Sequence, residues 1–137
     1  MLLLRRLAAA ALAATALAAP ARACDLHFCQ NGTSFSGEEL RRRFDRGLPP
    51  AYDQAFPEQR WSTVMKLDAH HDQGLVVITL GHSPWLSATQ ALLPVASFSV
   101  IEALPPTQTQ WKRWLTDLAS RYAQLMLANR SRILNQP

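Results

Sequence analysis

The stretch WSTVMKLDAHHDQGLVVITL, Trp61 to Leu80, sets the architecture of this chain. Thr63, Met65, Leu67 and Ala69 alternate with Ser62, Lys66, Asp68 and His70. That is the period of two expected of a strand with one buried face. After His71-Asp72-Gln73-Gly74, the run Leu75 to Leu80 reads as a second strand, and Gly74 supplies the φ > 0 position of a four-residue hairpin loop. Pairing Ala69 with Val76, Leu67 with Ile78 and Met65 with Leu80 makes one face wholly apolar. A slip of one residue would turn that set outward, so the register is fixed by burial. The opposite face, with Lys66, Asp68, His70, Val77 and Thr79, is mixed.

Upstream, Ser36-Gly37-Glu38-Glu39 forms a capping box, and Phe35 with Leu40 forms a hydrophobic staple. Glu38–Arg42 and Glu39–Arg43 add favourable i,i+4 pairs. The spacing predicts a helix over 37–46, ended by Gly47 and Pro49-Pro50. Pro49 to Pro57 reads as a connector with room for one helical turn, its Tyr52 and Phe56 packed down.

Downstream, Gly81-His82-Ser83-Pro84 is expected to break the second strand. Trp85 to Leu93 suits a short helix or a strand equally. Val95, Phe98, Val100 and Ile101 mark a third strand within Pro94–Leu104, stopped by Pro105-Pro106. A long amphipathic helix follows from Gln108 to Arg132, capped by Thr107 and Gln110. Its apolar stripe is Trp111, Trp114, Leu115, Leu118, Tyr122, Leu125 and Met126. The expected order is α-β-β-β-α: an α+β domain with a small antiparallel sheet of three strands, an N-terminal helix and a long C-terminal helix.

The first 23 residues belong to a different layer of information. Arg5-Arg6 gives a positive n-region, Leu7 to Ala19 is an Ala/Leu run, and Ala21-Arg22-Ala23 ends in small residues before Cys24. This is the layout of a cleaved secretory signal peptide; the run is shorter than the roughly 20 residues that span a bilayer. A twin-arginine signal at Arg5-Arg6 and lipidation of Cys24 are the competing readings. Residues 24–137 then form a single domain. The chain has 14 Lys+Arg and 10 Asp+Glu, a balance of +4. Arg5, Arg6 and Arg22 leave with the leader, so the remaining domain is nearly neutral. That removes the general electrostatic case for nucleic acid or anionic membranes. With 48% hydrophobic and 18% charged residues, the composition is that of a folded domain rather than a disordered chain.

Export makes a Cys24–Cys29 disulfide the expected state of the two cysteines. The alternative is a zinc or copper site at Cys24, His27 and Cys29, whose thiolates and imidazole suit those metals. His70 and His71 at the hairpin turn cannot join His82, which lies roughly 23 Å away along the second strand. A small hydrolase is the third reading, centred on His82-Ser83 or on Asp68, His70 and Asp72. No nucleophile, base and orienting group assemble from the spacing alone, and no G-x-S-x-G elbow is present. Arg41-Arg42-Arg43 and Arg46 fan around a helix beside Glu38, Glu39 and Asp45, as a solvated face does. Asn31-Gly32-Thr33 and Asn129-Arg130-Ser131 match a glycosylation sequon and read as incidental.

The functional expectation is a periplasmic or secreted accessory protein that binds another envelope or secreted protein, with no cofactor. Its candidate contact surfaces are the loop at His82, Ser83 and Trp85 and the end of the C-terminal helix, which is also the candidate surface for a homo-oligomer.

Overall fold

The computed structural model describes residues 22–24, 27–84 and 94–135, with only the backbone described at 22–24. Its elements in chain order are β1 (Arg22–Cys24), β2 (Phe28–Asn31), α1 (Gly37–Gly47), α2 (Pro50–Ala55), β3 (Trp61–His70), β4 (Leu75–Pro84), β5 (Ala96–Ala103), α3 (Gln108–Ala128) and α4 (Arg130–Leu134). The strands lie side by side in sequence order in one sheet. The class is α+β, as the pattern implies.

The central hairpin has the expected register: Met65 opposes Leu80, Leu67 opposes Ile78 and Ala69 opposes Val76. Gly74 turns with φ +66°. Met65, Leu67, Val76, Ile78 and Leu80 are sealed from solvent, whereas Lys66 and Thr79 on the other face are exposed. Ser36 caps α1 by accepting from the Glu39 N–H at 3.1 Å, and Thr107 caps α3 by accepting from the Gln110 N–H at 3.2 Å. Phe35, Leu40 and Phe44 from the α1 region, Tyr52 and Phe56 from the α2 region, and Leu115, Leu118 and Tyr122 from α3 close over the apolar sheet face in one core.

Three expectations need correction. The sheet has two further strands before α1, and β2 runs parallel to β3, Phe28 beside Met65 and Gln30 beside Leu67. Strand β2 is four residues long and carries Gln30 on its buried face, so it shows no alternating hydrophobicity. Gln30 is accommodated because its Oε1 accepts from both the N–H and the hydroxyl of Thr33, at 2.8 and 2.6 Å. The α1–α2 segment is thus the crossover that a parallel pair requires. Second, β4 does not end at Gly81; it continues to Pro84, paired with β3 on one side and, as far as His82, with β5 on the other. Third, the C-terminal helix is interrupted at Asn129, whose side-chain amide and backbone N–H both donate to Leu125 C=O, at 2.8 and 3.2 Å. A short amide side chain that competes for the i−4 carbonyl ends the regular ladder there. The Trp85–Leu93 stretch lies outside the described residues.

Gly47 is expected to serve as a left-handed helix stop, but its φ is not positive. It is instead the point of closest approach between α1 and α3: a Cβ there would collide with Thr116 O and lie 2.7 Å from Ala119 Cβ. Because the opposing atoms are backbone and a fully buried methyl, the helices must part to admit one. Gly47→Ala is expected to destabilise the domain by about 1–3 kcal/mol, read as a lower urea midpoint at unchanged m-value. A cost near zero would show that the two helices do not meet there.

Candidate functional site

The extension of β4 carries His82 into the interior. Thr63 opposes His82, and both continue the inward row of Met65 and Leu80. His82 has no solvent exposure. Its ring stacks on Trp61 at 4.6 Å and an interplanar angle of 10°, and Phe56 meets it edge-on at 4.4 Å. Nδ1 lies 3.0 Å from the Tyr122 hydroxyl and 3.2 Å from the Tyr52 hydroxyl. Thr63 Oγ1 lies 3.3 Å from each of the two phenols, and the Tyr52 hydroxyl donates to Tyr122 Oη at 3.5 Å. One polar node therefore joins the open end of the hairpin to α2 and α3.

Electrostatically the node is neutral. Burial lowers the His82 pKa from 6.5 to about 4, and burial is also the main cause of the raised pKa values of Tyr52 and Tyr122. With all three groups uncharged at pH 7, the imidazole has one proton for two nitrogens. Nε2 has no hydrogen bond among the described residues. Placing the proton on Nδ1, donating to Tyr122 Oη, leaves Nε2 a bare lone pair rather than an orphaned N–H, which buried structures rarely tolerate. The Tyr122 hydroxyl then donates to Thr63 Oγ1, Thr63 donates to Tyr52 Oη, and all four donors are used.

A second polar link fastens the other end of the sheet. Glu102 on β5 accepts from Trp114 Nε1 and from an Arg121 guanidinium N–H, each at 2.6 Å. The Arg121 hydrogen bond is the first cause of its lowered pKa. Trp114, read as part of the apolar stripe, is half-buried and uses its indole N–H in this way.

The sequence-derived candidates separate. His82 and Ser83 are fully buried strand residues, which corrects their reading as an exposed contact loop; Trp85 lies outside the described residues. Ser83 points to the sheet face opposite His82, so the pair forms no nucleophile–base couple, and its Oγ has no hydrogen bond among the described residues. Asp68 pairs with Lys66 at 3.6 Å, while His70 and Asp72 are exposed at the turn. His71 donates from Nε2 to Gly32 C=O. Cys24 and Cys29 are Cα partners across β1 and β2, and His27 is half-buried just before β2. Among the described residues no group of three or more His, Cys, Asp or Glu could hold a metal ion; the Cys24 side chain is outside them. Tyr52, Thr63 and Tyr122 were not foreseen as partners of His82. Carrying the hairpin register two pairs further, to Thr63 opposite His82, is the signal that places the imidazole on the buried face.

A largely buried, uncharged node of this kind holds elements together. The fold is thus an α+β domain with a buried histidine–tyrosine node. No family model matches the chain, and neither a curated protein nor a solved structure is similar to it.

Two outcomes follow from the node. Tyr122→Phe removes a hydroxyl shared by His82, Thr63 and Tyr52 and is expected to cost about 1–3 kcal/mol of unfolding free energy, because its buried partners lose their bonds. Between pH 6.5 and about 4 the unfolded chain takes up a proton at position 82 that the folded chain refuses. Stability contributed by a neutral His82 is therefore full above pH 6.5 and falls as the pH drops, by about 1.4 kcal/mol per unit. Urea titrations at pH 7 and pH 5 are expected to show this slope, and His82→Phe to reduce it. An unchanged slope in that variant would assign the acid sensitivity to other groups.

Proposed function

We propose that the protein is exported across a membrane, loses residues 1–23, and acts in the periplasm or outside the cell as an accessory protein that binds another envelope or secreted protein. The observation that carries the export reading is the sequence of residues 1–23: Arg5-Arg6, the Ala/Leu run from Leu7 to Ala19, and Ala21-Arg22-Ala23 before Cys24. Cleavage after Ala23 would take Arg22 and Ala23 from the edge strand β1 and leave Cys24 opposite Cys29. No helix among the described residues is long and apolar enough to cross a membrane.

The Cys24–Cys29 disulfide belongs to the same reading. Directly opposed residues on antiparallel strands have Cα atoms about 4.5–5.5 Å apart, within the span of a disulfide. The bridge would tie the new N-terminus to β2 after processing. A protein-binding role draws its support from exposed apolar side chains on a domain whose His82 is enclosed: Ile101 on β5, Leu125 on α3 and Leu134 on α4.

Intact mass of the protein recovered from a periplasmic or culture fraction tests both parts of the covalent reading. The expected species begins at Cys24, is two hydrogens lighter than its reduced form, and carries no lipid. A chain retaining residues 1–23 would refute processing, and two free thiols would refute the bridge. For the binding role, a photo-crosslinking residue at Leu125 or Leu134 is expected to give an adduct with a different envelope protein that an equivalent at Gln54 does not. No adduct from either helix position would count against it.

A further inference from the structure

We propose that β5 is an association edge, where a second copy of this chain adds its own β5 antiparallel to form one sheet through both molecules. Among the described residues, strand β5 pairs with β4 on one side and is outermost in the strand order. Leu104 N–H donates to Gly74 C=O at 2.9 Å, in line with the β4–β5 register. That bond fixes the alternation: even-numbered residues turn their main-chain groups to β4, and Ser97, Ser99, Ile101 and Ala103 turn theirs outward. A row of outward N–H and C=O groups is a template to which another extended strand can add in place of water.

The chemistry of the edge selects the chain itself as that strand. Natural edges are blunted with lysine, proline or inward charges. The β5 sequence ASFSVIEA holds no lysine or proline. Its one charge, Glu102, is matched on the inner face by Arg121. Two such strands therefore meet without like charges on the shared outer face.

Symmetry picks the register. A twofold axis perpendicular to the sheet keeps both inner faces on one side, so the paired residue numbers must sum to an even value. An axis through Val100 gives the fullest overlap. It sets Ser99 opposite Ile101 of the second copy and Ser97 opposite Ala103, with roughly eight main-chain hydrogen bonds. Ile101 is 68% exposed, the most exposed large apolar side chain among the described residues. In this register it lies diagonal to its symmetry mate, within reach of side-chain contact. Leu125 and Leu134, by contrast, are less exposed and have no matching row of main-chain groups. A strand-edge contact is at the small end of stable interfaces, so the dimer should form and dissociate with concentration.

Light scattering on the intact protein across a wide range of concentrations is the first test. A rise from one to two chains supports the inference, and a single chain throughout overturns it. Ile101→Lys is expected to raise the dissociation constant at least tenfold, while Gln124→Lys on α3 leaves it unchanged; an unaffected Ile101→Lys dimer would put the interface elsewhere. Val100→Cys keeps the proposal testable should the lysine variant fail to fold. Under oxidation it is expected to give a dimer linked through position 100, and Ser97→Cys is not. The reverse pattern overturns the register. Amide exchange at Ser97, Ser99, Ile101 and Ala103 should slow as concentration rises. Full protection of these amides in the monomer would mean the edge is already covered and would overturn the inference.

Discussion

The burial of one face of the β3–β4 hairpin is the constraint on which the remaining structure rests. Met65, Leu67, Ile78 and Leu80 admit no water, and their alternation permits one register only. Once that register is set, the next inward positions are His82, which enters the core, and Thr63, which lies half-buried at its edge. A polar pair placed there by geometry demands polar partners, since an unbonded buried group costs free energy. Tyr52 from α2 and Tyr122 from α3 supply them. The histidine node is in this sense a consequence of the hairpin, and it fixes where the helices dock.

The two polar links have opposite electrical character. At the His82 end every group is neutral, held so by burial. At the Glu102 end a charged carboxylate is kept ionised by Arg121 and half-exposed. Acid therefore acts on the two ends differently. Glu102 holds its charge into a lower pH range than a free carboxylate, whereas His82 begins to oppose folding as soon as the unfolded chain can take a proton. The neutral end, with Nε2 unpaired among the described residues, is the more vulnerable.

How much of this was legible in the sequence depends on how local the cause is. The hairpin register, the two helix caps and the position of the Gly74 turn are set by residues close to one another along the chain, none farther apart than Met65 and Leu80, and each was readable. Strand β2 was not, because its pairing to β3 is parallel and spans the whole α1–α2 crossover, and its buried face carries Gln30. His82 was half-legible. Gly81 and Pro84 around it resemble a turn, yet the register that placed Leu80 inside also places His82 inside two residues later. Its partners come from three separate segments and carry no common spacing. Gly47 shows the same limit: it has the look of a helix stop, while its actual constraint is a backbone on α3 some seventy residues away.

The ionisation state of His82 is where hairpin register, helix docking and acid response meet. Proton-detected nitrogen spectra of the imidazole in the folded protein, recorded from pH 7.5 to 4.5, read it directly. A ring that stays neutral and protonated at Nδ1 down to about pH 5, as its lowered pKa of about 4 requires, agrees with an enclosed node. A ring that titrates near 6.5 would contradict it, and would mean that the open end of the hairpin is in contact with water.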